Sequence, residues 1–403
     1  MATVLLIGTL DSKGDEYAYL AERLLAHGVD VLVADAGTDG PPRGPAPDIS
    51  RQELAAAGGV DVTDLDDRGK AVAAMADAAA ALARRLHEER RIDGVLAAGG
   101  SGGTAIATAA MRALPVGVPK LMVSTMAAGD TSDYLGGSDV TLMASVTDVA
   151  GVNSISGRIL ANAAAAMAGM VTAPPVELGE QRPLIGATMF GVTTPCVTRA
   201  REALEARGYE VLVFHATGTG GKAMEALATG GFLAGVLDAT TTELADDLVG
   251  GVLSAGPDRL EAAGKAGLPQ VVSLGALDMV NFGARDSVPP QFADRTLYEH
   301  NPSVTLMRTT PEECAELGRR IALKVSAATG PVSVFVPLGG VSLIDVEGQP
   351  FHDPEANAAL FAALREGLEG ERVELIEMEC DVNDPAFADA MASRLDEMLR
   401  DEA

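Results

Sequence analysis

Six consecutive residues, Gly99, Gly100, Ser101, Gly102, Gly103 and Thr104, carry four glycines and two hydroxyls directly after the apolar run 95–98. Placed between a strand and a helix, such a loop lets several backbone N–H groups converge on an anion at a helix N-terminus, and phosphate is the natural guest. No Gly-Lys-Ser/Thr follows and the GxGxxG spacing is missing, so the motif points to anion binding and to no named nucleotide fold. A tight strand-to-helix turn would explain a glycine or two. Four exceed that need, because each costs conformational entropy.

A second loop, Gly8, Thr9, Leu10, Asp11, Ser12 and Lys13, closes the first apolar run. Lys13 could neutralise a phosphate there, and Asp11 could hold Mg²⁺ directly or through water. Asp35 follows the second run, where an acid often binds ribose hydroxyls, although Asp35-Ala36-Gly37 also reads as the start of a turn. Ser124 and Thr125, followed by residues 129–132, form a fourth polar loop, with helix capping as their ordinary alternative. The expected ligand of these loops is a nucleotide, ATP with Mg²⁺.

The second half of the chain places Cys196, His215, Asp238, Asp278, Asn281 and His300 at or near predicted strand ends, with Thr193, Thr194, Glu243 and Arg308 close in sequence. These types can perform acid-base or nucleophilic work, with His215 as the acid-base group and Asp238 as its orienting carboxylate. Each also has an ordinary structural role: a buried thiol, a satisfied histidine, a surface ion pair. Two functions follow as expectations, a nucleotide-binding module and, alternatively, an enzyme acting on a small polar metabolite in a cleft between two lobes. The spacing assigns no metal-ligand set.

The elements that must position these groups repeat. The run 4–7, a loop, a helical stretch to about Ala26, a Gly28 stop and the run 31–34 form a β-loop-α-β unit, and the same grammar returns from Leu184 through Gly208 to Phe214. Gly8 is paired with Gly186 in this reading, Gly28 with Gly208, and 93–104 with 234–243. The fold class expected is α/β, two similar Rossmann-like lobes with mostly parallel sheets, covering 1–178 and 179–403 with the boundary near Pro174-Pro175. Most of residues 37–68 reads as an irregular excursion from the first lobe. The small-residue helix 158–170 is expected to pack between lobes or between subunits.

With 403 residues, 57 acidic against 30 basic, the formal charge is -27. That charge opposes nucleic acid and anionic membrane, and no basic patch overrides it. Three cysteines far apart support neither a disulfide framework nor a zinc site, which fits a reducing, cytoplasmic compartment. The first apolar run is too short for a signal peptide, and residues 159–171 are too few to span a membrane.

On the segments 8–13, 99–104, 189–196 (MFGVTTPC), 214–218 (FHATG), 278–283 (DMVNFG), 300–302 (HNP) and 306–310 (LMRTT), the sequence resembles the ATP-binding domain family of the plant tobamovirus RNA-replication inhibitor and its bacterial relatives. The resemblance spans nearly the whole chain. It implies two Rossmann-like subdomains, ATP in the N-terminal one, and a homodimer. It implies no particular reaction, and no antiviral activity.

Overall fold

Val4 and Leu6 point to one side of their strand and Leu5 and Ile7 to the other, and all four are buried, so the strand needs helices on both faces. The computed structural model, which describes residues 1–60, 67–174, 176 and 181–401, supplies them. Five strands, β1 (Thr3–Gly8), β2 (Asp30–Asp35), β3 (Gly94–Gly99), β4 (Lys120–Ser124) and β5 (Thr141–Ala144), form a parallel sheet in the order β2-β1-β3-β4-β5. One face packs Val4 and Leu6 against Tyr17, Leu20, Leu160 and Met167; the other packs Leu5 and Ile7 against Met75, Leu82, Ile106 and Met111. The chain leaves β1 for β2 on one side and then crosses to β3 on the other. The loops after β1 and β3 therefore flank the topological switch point, where open α/β sheets take ligands.

The chain divides into two compact units, Met1–Glu177 and Leu178–Ala403. The expected boundary between 178 and 179, and Pro175 beside it, lie outside the described residues. In the second unit the strands are β6 (Leu184–Met189), β7 (Glu210–His215), β8 (Gly235–Thr240), β9 (Gln270–Gly275), β10 (Met279–Phe282), β11 (Leu297–Asn301), β12 (Val304–Arg308), β13 (Val332–Pro337) and β14 (Glu374–Met378). Six of them form a parallel sheet, β14-β13-β9-β8-β6-β7. Read from β7, this is the first sheet's order with one strand added. The other three form an antiparallel sheet, β10-β12-β11, which the repeat did not foretell.

The strand register corrects one pairing in the repeat. Val4 lies opposite Gly94 and Ile185 opposite Gly235, so Gly8 is equivalent to Met189, and Gly186 to Leu5 in mid-strand. A Cβ on Gly186 would come within 2.8 Å of Leu233, so that glycine makes room for packing. Gly28 and Gly208 do correspond, each at positive φ (76° and 98°) after a helix.

Two further segments of the first unit are helical. Within residues 37–68, Arg51–Ala57 is a helix whose Ser50 side chain caps the Glu53 amide while Glu53 caps Ser50 in return. The helix Ser156–Thr172 buries Leu160, Ala163, Ala164 and Met167 against Tyr17, Leu20 and Leu24 of the helix Leu10–Ala26. Its buried small residues Ala163, Ala164 and Ala168 serve the first unit's own core, and Ala165 and Gly169 are exposed.

Candidate functional site

β3 runs straight into the helix Ser101–Arg112, with Gly100 as an N-cap in extended conformation (φ −85°, ψ −163°) and no side-chain cap. A helix leaves its first amides without intrahelical acceptors. The first closed bond here is from Thr104 N to the Gly100 carbonyl, at 2.8 Å. Among the described residues no acceptor meets the amides of Ser101, Gly102 and Gly103.

The glycines themselves are the informative part. A Cβ on Gly99 would sit 3.4 Å from Gly103 Cα, on Gly100 3.8 Å from Thr125 Oγ1, on Gly102 3.6 Å from Val72, and on Gly103 with nothing inside 4 Å. None of the four has positive φ. The fold would accept alanine at all four, and inside a helix it would gain from it by up to ~1 kcal/mol per site. Gly8 and Gly37 are different. A Cβ on Gly8 would collide with the Tyr17 ring, and one on Gly37 would come within 2.7 Å of Asp11 and 2.8 Å of Arg51.

Around this loop the supporting contacts are specific. Thr104 Oγ1 lies 2.7 Å from Ser124 Oγ and donates to the Gly100 carbonyl at 2.8 Å, which ties the loop to the end of β4. Tyr17 donates to the Ile7 carbonyl at 2.6 Å and accepts from Ala98 N at 3.0 Å, joining the ends of β1 and β3 across the switch point. Its burial pushes the phenol well above its usual range. Ser101 and Thr125 are exposed.

The first loop is more occupied. It already turns into helix at Leu10, with a non-helical Lys13 (φ −124°, ψ 19°) inside. Thr9 is the N-cap, and its hydroxyl lies 3.2 Å from Ser12 Oγ. Asp35 is buried, and its Oδ1 accepts from Leu10 N at 3.2 Å and Gly37 N at 2.9 Å. Asp11 accepts from Asp39 N at 2.9 Å. Arg51, which sequence reasoning missed, stands 3.6 Å from Asp35 and 3.8 Å from Asp11. Lys13 donates to the Val149 carbonyl, and Glu16 accepts from Gly151 N at 2.6 Å, so both hold the segment after β5 against this loop. Asp11 retains one oxygen, Oδ1, with no partner among the described residues, which suits the one or two carboxylates Mg²⁺ uses beside phosphates.

The second unit does not gather its six candidates. Cys196 is sealed in an apolar cluster, where burial pushes the thiol up to about 12, far from a thiolate nucleophile. His215 and His300 are exposed, on β7 and on β11 of the other sheet. Asp238 meets Arg259 and Thr188 instead of His215: Oδ1 accepts from Arg259 Nη2 and from Thr188 Oγ1, each at 2.7 Å. Glu243 takes the Arg259 Nε at 2.6 Å and the amides of Gly218 and Gly221 at 2.6 and 3.1 Å. Asn281 bonds Asp246, and Asp278 accepts from Ser342 at 2.7 Å. Arg308 reaches Asp345 at 3.2 Å and Asn357 at 2.9 Å. Most of these strand-end polar groups pair with one another inside the unit, whereas Asp278 Oδ1 and Asn281 Oδ1 are buried without a hydrogen-bond partner among the described residues.

Two of them carry a pH signature. Burial raises Asp246 to about 7 against hydrogen bonds from Asn281, and it raises Asp278 to about 7 with a contribution from Asp345. A carboxyl whose folded pKa exceeds its unfolded value, near 4, stabilises fully below about pH 4 and loses that contribution as pH rises through about 7. Urea midpoints of the Asp246→Asn variant measured from pH 4 to pH 8 should therefore fall less steeply with pH than those of the wild type. Parallel curves would remove Asp246 as a titrating contributor.

Among the described residues no helix is long and apolar enough to cross a membrane. Residues 2–175 match the model described as the N-terminal domain of uncharacterised protein family UPF0261, and residues 182–399 match that of its C-terminal domain. A UPF0261 protein of Clostridium tetani is 50% identical over 98% of this chain and 98% of its own length. One from Mesorhizobium japonicum is 48% identical over 98% of this chain and 99% of its own. The tomato ToMV resistance protein Tm-1(GCR237) is 42% identical over 96% of this chain, which spans 54% of that longer protein.

Proposed function

The chain belongs to the UPF0261 family, and on that premise we propose that it is a cytoplasmic nucleotide-binding protein that holds the phosphates of ATP, with Mg²⁺, on the open amides of Ser101, Gly102 and Gly103. One observation carries the reading: four glycines sit where the fold requires none, and three amides beside them point from a helix N-terminus without an acceptor among the described residues. A ligand approaching the backbone closely explains both facts, since any side chain there would stand between it and the amides. Lys13 and Asp11 flank the other side of the switch point, as a cation for phosphate and a carboxylate for Mg²⁺.

Mg-ATP binding only the folded state should raise the melting temperature, with about 2.7 kcal/mol gained at a concentration 100 times Kd. No shift and no calorimetric heat with millimolar ATP, ADP, GTP or NAD would remove the reading. Lys13→Ala should weaken ATP about tenfold and adenosine hardly at all, the loss expected of one charge-assisted hydrogen bond. Equal losses for the two would show that Lys13 does not touch phosphate. A homodimer is part of the proposal, and sedimentation at twice the 41.2 kDa chain mass tests it.

A further inference from the structure

The same site has two flanks, and only one is open to a sugar. On the β2 flank Asp35 is 1% exposed, one oxygen holding two amides and the other facing Arg51 at 3.6 Å. A ribose there would have to displace contacts that fix the first loop. On the β5 flank lies an open cavity of about 390 Å³ lined by Ser124, Thr125, Ser145, Val146, Thr147 and Asp148.

This cavity begins where the free amides end. Gly99, Ser124 and Ala144 lie side by side as the last residues of β3, β4 and β5. Thr125 N donates to the Gly99 carbonyl at 3.3 Å, and Thr125 Oγ1 lies 3.8 Å from where a Gly100 Cβ would stand. The step from the glycine loop to the cavity is one to two strand spacings, roughly 5–10 Å. Asp148 is exposed and its Oδ1 accepts from Val149 N at 2.8 Å, leaving Oδ2 with no partner among the described residues. A carboxylate only accepts, so it suits a pair of sugar hydroxyls and repels a phosphate. Val146, a β-branched residue at φ 63°, is held by a Thr147 N to Ser145 O bond of 2.7 Å in a three-residue turn. Strain of that kind concentrates at ligand clamps.

Resting on the nucleotide reading, we propose that the ribose of the bound nucleotide lies in the β4–β5 cavity with its hydroxyls on Asp148, away from Asp35. The nucleotide thus runs across the sheet end in the direction opposite to that expected from the acid after β2.

Calorimetry on the full chain with Mg²⁺ and three probes, ATP, 2′,3′-dideoxy-ATP and inorganic tripolyphosphate, tests this. Wild type should prefer ATP over the dideoxy analogue about tenfold or more, the value of hydrogen bonds to a charged acceptor. Asp148→Asn, which keeps the bond to Val149 N, and Asp148→Ala should both collapse that preference while leaving tripolyphosphate affinity unchanged or higher. Equal wild-type affinities for ATP and the dideoxy analogue, or a preference that survives both variants, would overturn the ribose placement while tripolyphosphate binding leaves the phosphate site standing. Failure of all three probes to bind would overturn both.

Discussion

Gly102→Ala combined with Gly103→Ala is expected to yield a protein that melts higher than wild type and no longer responds to Mg-ATP. The two effects have separate causes. Both positions lie in the first turn of the helix Ser101–Arg112, where an added Cβ meets only Val72 at 3.6 Å in one case and open space in the other. Alanine there removes unfolded-chain entropy and improves helix propensity, for a gain of roughly 1 kcal/mol in all once first-turn fraying is allowed for. The same methyl groups cover the amides that would meet phosphate, so the ~2.7 kcal/mol of ligand stabilisation at 100 times Kd should vanish. Thermal melts with and without nucleotide read both at once. A variant that loses stability would show that these glycines serve the fold. One that gains stability and keeps its full ATP shift would show that they serve neither fold nor phosphate.

The largest loss of stability is expected from Arg259→Met in the second unit. Arg259 has a fully buried side chain that bonds both oxygens of Asp238 and one of Glu243, and lies 3.3 Å from Glu225. Removing the guanidinium leaves buried carboxylates without their counter-charge, which costs about 3–5 kcal/mol. Replacing the whole set, Arg259→Met with Asp238→Asn and Glu243→Gln, should recover much of that loss, because the penalty belongs to unpaired charge. Denaturant unfolding followed by a probe in the second unit gives both numbers. A single variant within about 0.5 kcal/mol of wild type would mean that the network does not hold the unit together.

Much of the first unit was legible because a parallel sheet buried on both faces writes continuous apolar runs, and its ligand loops follow those runs in sequence. The 4–7, 31–34 and 95–98 segments became β1, β2 and β3 for that reason. Register was harder: Gly186 in mid-strand and Gly8 at a strand end look alike in sequence, and only hydrogen-bond pairing separates them. The helix Arg51–Ala57 did leave a signal, the Ser50 to Glu53 capping box, inside a stretch otherwise dominated by Pro and Gly. In the second unit the sequence placed polar residues near strand ends but not their partners. Asp238 finds Arg259 across 21 residues of chain and Arg308 finds Asn357 across 49, distances at which no periodicity reports a contact. His215 and Asp238 looked like a dyad only while Arg259 was out of view. The glycine loop was conspicuous from the start, yet what distinguishes it from Gly8 is space around the backbone, which only coordinates reveal.

The central claim is that phosphate sits on the amides of Ser101, Gly102 and Gly103, and the most direct measurement is a crystal structure of the protein saturated with Mg²⁺ and a non-hydrolysable ATP analogue. The expected result is phosphate oxygens at about 2.7–3.2 Å from at least two of those three nitrogens. Nucleotide bound elsewhere on the chain, with the loop 99–104 bare at saturating ligand, would contradict it.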